Sequence, residues 1–240
     1  MLKTPKITTI VVGVKDRFDP LKYTVPTWLA DDRVKQLLMI DWNSSILLKD
    51  VMNEMTDDRR VKVIRVEGVD FWAATLAYNF AMQHITTDRF LKVDADVALT
   101  RSSVDGLFPD AKEFITINRK QVKGRNDGAL TGTFAGRRED FLSIGGYDER
   151  IRQYGWEDME IYNRLSFAGF KRRHFNISLF FHLPHSDDLR RKNSLDPSLT
   201  VKESMDKMYE DSVVREFWST KNERAQYEQR GKDLFHLIKL

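Results

Sequence analysis

Four short apolar runs in the first hundred residues constrain the fold more than any other feature of this sequence. They occupy residues 7–14, 36–41, 61–66 and 90–93. Their β-branched and large aliphatic side chains are typical of buried strands. Between the third and fourth runs, Trp72, Leu76 and Phe80 recur at intervals of four, which predicts an amphipathic helix over residues 71–85. Strands that alternate with helices favour βαβ units, and therefore a mixed, mostly parallel α/β sheet flanked by helices.

The fourth run ends in two carboxylates, Asp94 and Asp96, which are separated by a single alanine. In open α/β sheets, ligands bind outside the carboxyl ends of the strands. Hard oxygen ligands at such a place suit Mg²⁺ or Mn²⁺ carrying substrate phosphates. An Asp-x-Asp triplet at a strand end is also typical of a solvated turn, so the pair alone does not decide between a metal site and a turn.

The second half of the chain is less regular and carries three further motifs. They are Gly145-Gly-Tyr-Asp-Glu149, Tyr154-Gly-Trp-Glu-Asp158 and Phe181-His182. The patterns predict a loop at 124–132, helices at 138–144 and 157–168, a strand at 175–181, a linker at 184–197 and one or two helices within 202–240.

Taken in order, the Asp pair and these motifs resemble the nucleotide-sugar glycosyltransferases of the GT-A fold. The likeness is greatest to inverting enzymes such as the bacterial chondroitin polymerases and the β-1,4-galactosyltransferases, and it runs from about residue 7 to about residue 190. One departure is visible, because Tyr154-Gly-Trp156 replaces the Trp-Gly-Gly or Trp-Gly-Pro of those families. The departure affects the expected shape of the acceptor pocket more than the expected chemistry.

The resemblance implies a Rossmann-like GT-A domain over residues 1–195, with a nucleotide-binding half at about 1–100 and an acceptor half at about 101–195. We expect residues 196–240 to form a C-terminal helical extension. The implied reaction is an inverting, metal-dependent transfer from a UDP-sugar donor to a hydroxyl of a glycan or lipid-linked glycan. Surface polysaccharide biosynthesis is the process expected for such an enzyme.

On the donor side, the resemblance implies that two groups of residues surround the UDP-sugar. Nucleotide contacts are expected from Val14, Arg17, Asp41, Asn79 and Asp94. Mn²⁺ or Mg²⁺ is expected on Asp96 and His182, with Asp94 and His185 as further candidate ligands. An isolated histidine is more often a surface or core residue, so the assignment of His182 depends on its place after Phe181 in the motif order.

On the acceptor side, the resemblance implies that Asp158 is the general base. Glu157, Trp156 and Arg164 are expected to bind or orient the acceptor. Because Glu157 and Asp158 fall at the start of the predicted helix, its dipole favours the ionised carboxylates that a base at neutral pH requires. Acidic residues are common in first helical turns for the same reason, so the position is also compatible with a purely structural role.

Composition narrows the remaining possibilities. With 240 residues, of which 41% are hydrophobic, the chain can bury one substantial core. It has no cysteine, which excludes disulfides and thiol catalysis and agrees with a cytoplasmic protein. A net charge of +3 does not indicate nucleic-acid binding. Basic clusters at 171–173 and 190–192 fit either solvated loops or peripheral association with the inner face of a membrane.

Three alternatives to the inverting transferase remain at this stage. A retaining N-acetylgalactosaminyltransferase-like enzyme shares the later Trp-Gly-Gly-Glu pattern, but such enzymes typically carry Asp-x-His in place of Asp94-Ala-Asp96. A non-catalytic nucleotide-sugar-binding module would keep the scaffold without needing its acidic residues. A sugar nucleotidyltransferase is disfavoured, because Gly13-Val-Lys-Asp-Arg17 lacks the Gly-rich loop expected after the first strand. The sequence leaves the donor sugar, the linkage and the oligomeric state open.

Overall fold

A computed structural model describes residues 7–100, 107–185, 187–211 and 218–240. The strands are β1 (Thr8–Val14), β2 (Val34–Trp42), β3 (Val61–Glu67), β4 (Arg89–Lys92), β5 (Val97–Leu99), β6 (Glu113–Thr116), β7 (Phe134–Arg137), β8 (Lys171–His174), β9 (Phe180–His182), β10 (Gln226–Gly231) and β11 (Leu234–Lys239). The α-helices are α1 (Leu21–Leu29), α2 (Leu48–Met55), α3 (Ala74–Met82), α4 (Arg125–Gly128), α5 (Arg138–Ser143), α6 (Glu157–Phe167), α7 (Asp187–Lys192) and α8 (Val201–Glu210).

Nine of these strands form one mixed sheet in the order β10-β11-β3-β2-β1-β4-β7-β6-β8. The strands β3, β2, β1 and β4 run parallel, whereas β7 is antiparallel to both of its neighbours. A second, two-stranded sheet pairs β5 with β9. The mixed, mostly parallel sheet flanked by helices that the sequence predicts is confirmed.

Helices cover β1 on both faces, so this strand is buried along nearly its whole length instead of on alternate residues. Along β1, Ile10, Val12 and Val14 belong to one core cluster while Val11 belongs to the other. The predicted helix at 71–85 is shorter, because α3 spans Ala74–Met82, and its central residues are buried. The order of the strands along the sheet reverses beside β1. In such sheets, ligands usually bind in the crevice outside the carboxyl ends of the strands at this point, which are here β1 and β4.

The C-terminal extension differs from the predicted helices. One helix, α8, is present and starts with a capping box between Thr200 and Glu203. Residues 226–239 instead form a β-hairpin, and β11 pairs parallel to β3 at the edge of the main sheet. The edge of β3 supplies hydrogen-bond partners for β11, and Leu237 is buried in the core, so this part of the predicted helical extension is a strand.

The segment after α6 also differs in detail. The strand predicted at 175–181 is wrong over most of its length, because a 3-10 turn occupies Ile177–Leu179, β9 begins only at Phe180, and β8 has already ended at His174. The predicted linker at 184–197 contains the short helix α7. Among the described residues, no helix is both long enough and apolar enough to span a membrane.

Candidate active site

A cleft lies at the carboxyl ends of β1 and β4 and holds about 940 Å³ of space, including the part open to solvent. Its wall includes Arg17 after β1, Asp94 and Asp96 after β4, and both Glu157 and Asp158 at the start of α6. The two halves of the predicted site therefore open onto one space.

Asp96 lies beside two histidines at one end of this cleft. The antiparallel pairing of β5 with β9 sets Val97 opposite His182. The backbone N–H of Leu183 then donates to the carbonyl oxygen of Asp96 at 2.8 Å. As a result, Asp96 Oδ2 is 3.4 Å from Nε2 of His182 and 3.0 Å from Nε2 of His185. The small sheet thus brings together three residues that are widely separated in the sequence.

These three side chains fit a divalent cation. Their ligand atoms lie within 4.8 Å of one another. Asp96 and His182 are buried, and neither ring nitrogen of His182 has a hydrogen-bond partner of normal geometry among the described residues. One carboxylate and two imidazoles are a ligand set that suits Mn²⁺, and water or phosphate oxygens could complete the coordination. His185 thus joins His182 as a candidate ligand instead of replacing it.

The charges around Asp96 favour its ionised form. Burial opposes ionisation, but the two imidazoles and the guanidinium of Arg17, which contacts Oδ2, outweigh burial and hold the pKa of Asp96 well below its usual range. An ionised, buried carboxylate requires a positive partner. In this structure Arg17 supplies that charge. Arg17 therefore lies next to the candidate cation ligand Asp96, on the wall of the cleft where a diphosphate is expected.

Asp94 is directed away from the three-residue group. Its carboxylate is 3.2 Å from Nζ of Lys92 and accepts a hydrogen bond of 3.3 Å from the hydroxyl of Tyr78. It lines the cleft and is 38% exposed, so it remains accessible to a ligand. The sequence placed Asp94 among the candidate metal ligands, whereas the geometry groups it with the acidic residues of α6.

Glu157 and Asp158 enter the cleft from a turn with unusual backbone angles. Gly155 and Trp156 both have positive φ, of 107° and 70°, and Trp156 directly precedes α6. A non-glycine residue in the left-handed region is uncommon and persists where the surroundings enforce it. Here α8 holds the turn in this conformation. A side chain on Gly155 would meet Met205, and the indole N–H of Trp156 donates to the carbonyl oxygen of Met205.

The position of Trp156 corrects its predicted role as a platform for the acceptor. Its ring stacks on Tyr209 of α8, with centroids 6.3 Å apart, and it does not line the cleft. The aromatic residue of this motif that does line the cleft is Tyr154. Tyr154 stands at the first position of the motif, where the resembling families have Trp, whereas the indole of Trp156 is covered by α8.

A buried lysine, Lys92, connects the acidic residues of the cleft and was missed by the sequence analysis. Its Nζ lies 3.2 Å from Asp94 and 3.5 Å from Asp158, and it donates to the carbonyl oxygen of Gly132 at 2.9 Å. Burial opposes its charge, but Asp158 and Asp94 outweigh burial and raise the pKa of Lys92 well above its ordinary value. The available signal was a lysine inside the otherwise apolar run 90–93.

The acidic residues of α6 have perturbed pKa values. Burial and the neighbouring Asp158 raise the pKa of Glu157 to about 8, and its Oε2 has no hydrogen-bond partner among the described residues. Burial also raises the pKa of Asp158, while the ammonium of Lys92 opposes that shift. Shifted acids in a cleft are candidates for proton transfer. Asp158, the acid with the cationic neighbour, is the better placed to stay ionised.

Two predicted nucleotide contacts are used within the fold instead. Asp41 is 1% exposed and accepts hydrogen bonds from the backbone of Ser44 and Leu48 and from Arg65. Asn79 is also buried, and its amide bonds both backbone polar groups of Tyr147. Both side chains are fully engaged in holding loops together, which corrects their assignment to the nucleotide.

Arg164 and Val14 likewise have structural positions. Arg164 pairs with Glu160 at 2.6 Å and donates to the carbonyl oxygens of Ile144 and Gly146, so it fixes the Gly-Gly turn and does not orient Glu157. The side chain of Val14 is buried in the core, while its neighbours Gly13 and Lys15 line the cleft. The role of Arg164 is therefore corrected, whereas the expected contact of Val14 with the nucleotide stays a prediction.

Further residues of the donor side emerge only from the tertiary structure. Lys15 and Trp72 line the cleft, and a side chain at Gly13 would lie 2.3 Å from the ring of Trp72. Asn193, just after α7, donates to the carbonyl oxygen of Lys15 at 3.1 Å and closes that end of the cleft. The segment after the two histidines thus contacts the loop that follows β1.

A comparison with known protein families matches part of the chain that contributes to this cleft. The family described as the N-terminal domain of galactosyltransferase matches residues 112–186, which is less than half of the chain. That stretch contains the Gly-Gly turn, the acidic start of α6 and both candidate histidine ligands. No curated protein sequence matches the chain at a significant level.

Solved structures share the fold at low sequence identity. The catalytic domain of Drosophila β1,4-galactosyltransferase 7 with xylobiose has a TM-score of 0.59 at 16% identity, covering 97% of this chain and 93% of that one. The mannosyltransferase PcManGT from Pyrobaculum calidifontis, with GDP-Man and Mn²⁺, has a TM-score of 0.63 at 11% identity, covering 87% and 66%. GalNAc-T7 with UDP, GalNAc and Mn²⁺ has a TM-score of 0.64 at 16% identity, covering 76% and 45%. The chain therefore has the GT-A fold of nucleotide-sugar glycosyltransferases and, over residues 112–186, resembles the galactosyltransferase family.

Proposed function

We propose that this protein is an inverting, metal-dependent glycosyltransferase that transfers a sugar from a UDP-sugar to a hydroxyl of a glycan or lipid-linked glycan. One observation carries the proposal. Asp96, the carboxylate of a group of residues that fits a divalent cation, lines the same cleft as Glu157 and Asp158, a pair of acids with perturbed pKa values. A transfer reaction needs both, because the diphosphate leaves from one side while the acceptor hydroxyl attacks from the other.

Asp96, His182 and His185 would hold Mn²⁺ on the donor side. The ion would supply a Lewis acid that stabilises the charge of the departing diphosphate. Structures of the fly galactosyltransferase and of the mannosyltransferase hold Mn²⁺ together with UDP-Gal and GDP-Man, respectively, which supports a nucleotide-sugar donor. Arg17 and Lys15 add two cationic side chains to this wall and are suited to bind phosphate oxygens.

On the acceptor side, Asp158 accepts the proton of the attacking hydroxyl in this mechanism. The acceptor oxygen forms a bond to the anomeric carbon as the bond from that carbon to the diphosphate oxygen breaks, and UDP leaves with the bonding electrons. Because attack and departure occur on opposite faces, the product has the inverted anomeric configuration. Glu157 lines the cleft, its Oε2 is buried without a hydrogen-bond partner among the described residues, and it would bind a second acceptor hydroxyl. Tyr154 offers the aromatic face that Trp156 does not.

The nature of the acceptor and the cellular site rest on the sequence resemblance alone. The likeness to chondroitin polymerases supports a growing surface polysaccharide as the acceptor. Action in the cytoplasm, or peripherally at the inner face of the membrane, remains part of the same proposal.

A retaining N-acetylgalactosaminyltransferase-like enzyme is the second candidate, since GalNAc-T7 shares the fold. The configuration of the product separates the two mechanisms. Proton NMR of the new linkage is expected to show inversion, and retention would select the second candidate. A binding module without activity would release no UDP at all.

The test is a donor screen that measures nucleotide release with Mn²⁺ from common UDP-sugars, in the presence of mono- and disaccharide acceptors. We expect release with at least one UDP-sugar, loss of release in EDTA, and none with GDP-Man. Asp158→Asn serves as the matched inactive variant. Nucleotide release that is the same in EDTA, or in Asp158→Asn, would overturn the proposed mechanism.

A further inference from the structure

Lys92 is buried in an unusual place for a lysine. It is the last residue of β4, and its side chain is only 4% exposed. Placing an ammonium group inside a protein is strongly unfavourable unless partners compensate for the lost water. The other residues of β4 that point into the core are apolar, and an apolar side chain would fill this position without that cost. The charge at Lys92 therefore calls for an explanation in terms of its contacts.

The contacts of Lys92 join the two halves of the cleft. One partner, Asp94, follows β4 on the donor side, whereas the other, Asp158, starts α6 on the acceptor side. A third contact reaches the carbonyl oxygen of Gly132, and the ammonium also lies 4.8 Å from the ring centroid of Tyr78. Lys92 is thus the link through which Asp158 is tied to the sheet.

Gly132 closes the cluster from the side of the loop. A Cβ atom at this position would be 2.9 Å from Nζ of Lys92, 2.9 Å from Oδ2 of Asp158 and 3.4 Å from Oδ2 of Asp94. The three charged groups therefore converge on one point directly beneath the backbone of the loop. The ammonium group of Lys92 and the backbone of Gly132 thus both lie close to the carboxylate of Asp158.

We propose that Lys92 is a positioning residue, whose ammonium group holds the carboxylate of Asp158 against that of Asp94 so that Asp158 faces an acceptor hydroxyl. The role assigned to Asp158 rests on the function proposed above. Lys92 touches neither the acceptor nor the anomeric carbon in this scheme. It acts through Asp158, and without it the two like-charged carboxylates repel each other and Asp158 leaves its place.

The experiment compares Lys92→Met, Asp158→Asn and the double variant, with Lys62→Met as the matched control. Lys62 is a lysine of β3 whose carboxylate partner, Asp233, lies 3.8 Å away, and it does not line the cleft. We expect Lys92→Met to lower kcat by about 10- to 100-fold, the effect of misplacing a reacting group. The Kd of UDP–Mn²⁺ should stay within about twofold of the wild type. Lys62→Met should change neither quantity.

A role through Asp158 makes the two substitutions non-additive. The double variant is therefore expected to be no slower than Asp158→Asn alone. If the two substitutions lower kcat by the product of their separate effects in the double variant, the proposal is overturned. An unchanged kcat in Lys92→Met would overturn it as well. Should Lys92→Met fail to fold, as judged by thermal unfolding, Lys92→Gln carries the same expectations.

A crystal structure of Lys92→Met separates this proposal from the proposed function. We expect the carboxylate of Asp158 to move away from Asp94, and an unmoved Asp158 would overturn the positioning role even in an active enzyme. A displaced Asp158 in a protein whose wild type uses no UDP-sugar would support the positioning role and refute the proposed function.

Discussion

Replacing Gly132 with alanine is expected to impair catalysis much more than it impairs folding. The new methyl group would lie 2.9 Å from both Lys92 Nζ and Asp158 Oδ2, about 0.5 Å inside ordinary contact distance. Its backbone is not in the left-handed region, so the cost is one of space alone. Overpacking of this kind costs about 1 to 3 kcal/mol. If that cost falls on the placement of Asp158 in the transition state, kcat decreases by roughly 5- to 150-fold.

Gly128 provides a matched control on the same segment. A methyl group there would meet only the side chain of Val122, at 4.0 Å, although Gly128 also lines the cleft. Steady-state kinetics with a saturating UDP-sugar and Mn²⁺ would compare Gly132→Ala, Gly128→Ala and the wild type, and calorimetry would follow UDP–Mn²⁺ binding. We expect loss of kcat in the first variant alone, with binding retained in both. Equal activity of the two variants would refute the reasoning that the cluster under Gly132 positions the base.

Three other expectations concern individual acidic residues. Asp96→Ala should abolish the gain in UDP affinity that Mn²⁺ provides, and more completely than His185→Ala does; calorimetry in Mn²⁺ and in EDTA would show it, and equal losses would contradict the central place of Asp96. Asp158→Asn should lower turnover by roughly 10² to 10⁴, the usual contribution of a general base, with UDP–Mn²⁺ binding intact. In the metal-free protein, the pKa of Glu157 is raised from 4.5 to about 8, so the folded state holds this proton to higher pH than the unfolded state does. The free energy of unfolding should therefore fall as pH rises through that window. Glu157→Gln should remove this part of the pH dependence and raise the melting temperature at pH 8; an unchanged pH profile in thermal unfolding would count against the shift.

The sequence predicted the sheet well where hydrophobic pattern decides the structure. The runs that became β1, β2 and β4 are largely buried, so their apolar character is visible without any knowledge of their neighbours, and β3 alternates apolar with charged residues, which is itself a strand pattern. The C-terminal hairpin escaped prediction for the opposite reason. Most of β10 is exposed and polar, and β11 is defined by its pairing with the edge of β3, a partner some 170 residues earlier in the chain.

The candidate site was predicted residue by residue with mixed success. The positions of Asp96, Glu157 and Asp158 at element ends were apparent from the sequence, and the structure brings all of them to one cleft. Trp156 and Arg164 share the same stretch, yet their side chains are engaged by α8 and by the Gly-Gly turn. Position in a motif did not indicate which of its polar groups would already have a partner.

By itself, the sequence determined the parallel half of the sheet and the order of the acidic motifs, because strand burial and residue spacing are local properties of the chain. Only the tertiary structure decided that His185 joins His182 at Asp96, and that Lys92 links Asp94 to Asp158. These groupings arise from the pairing of β5 with β9 and from the approach of α6 to β4. A contact between groups far apart in the chain is fixed by packing and charge in three dimensions, and no local pattern records it.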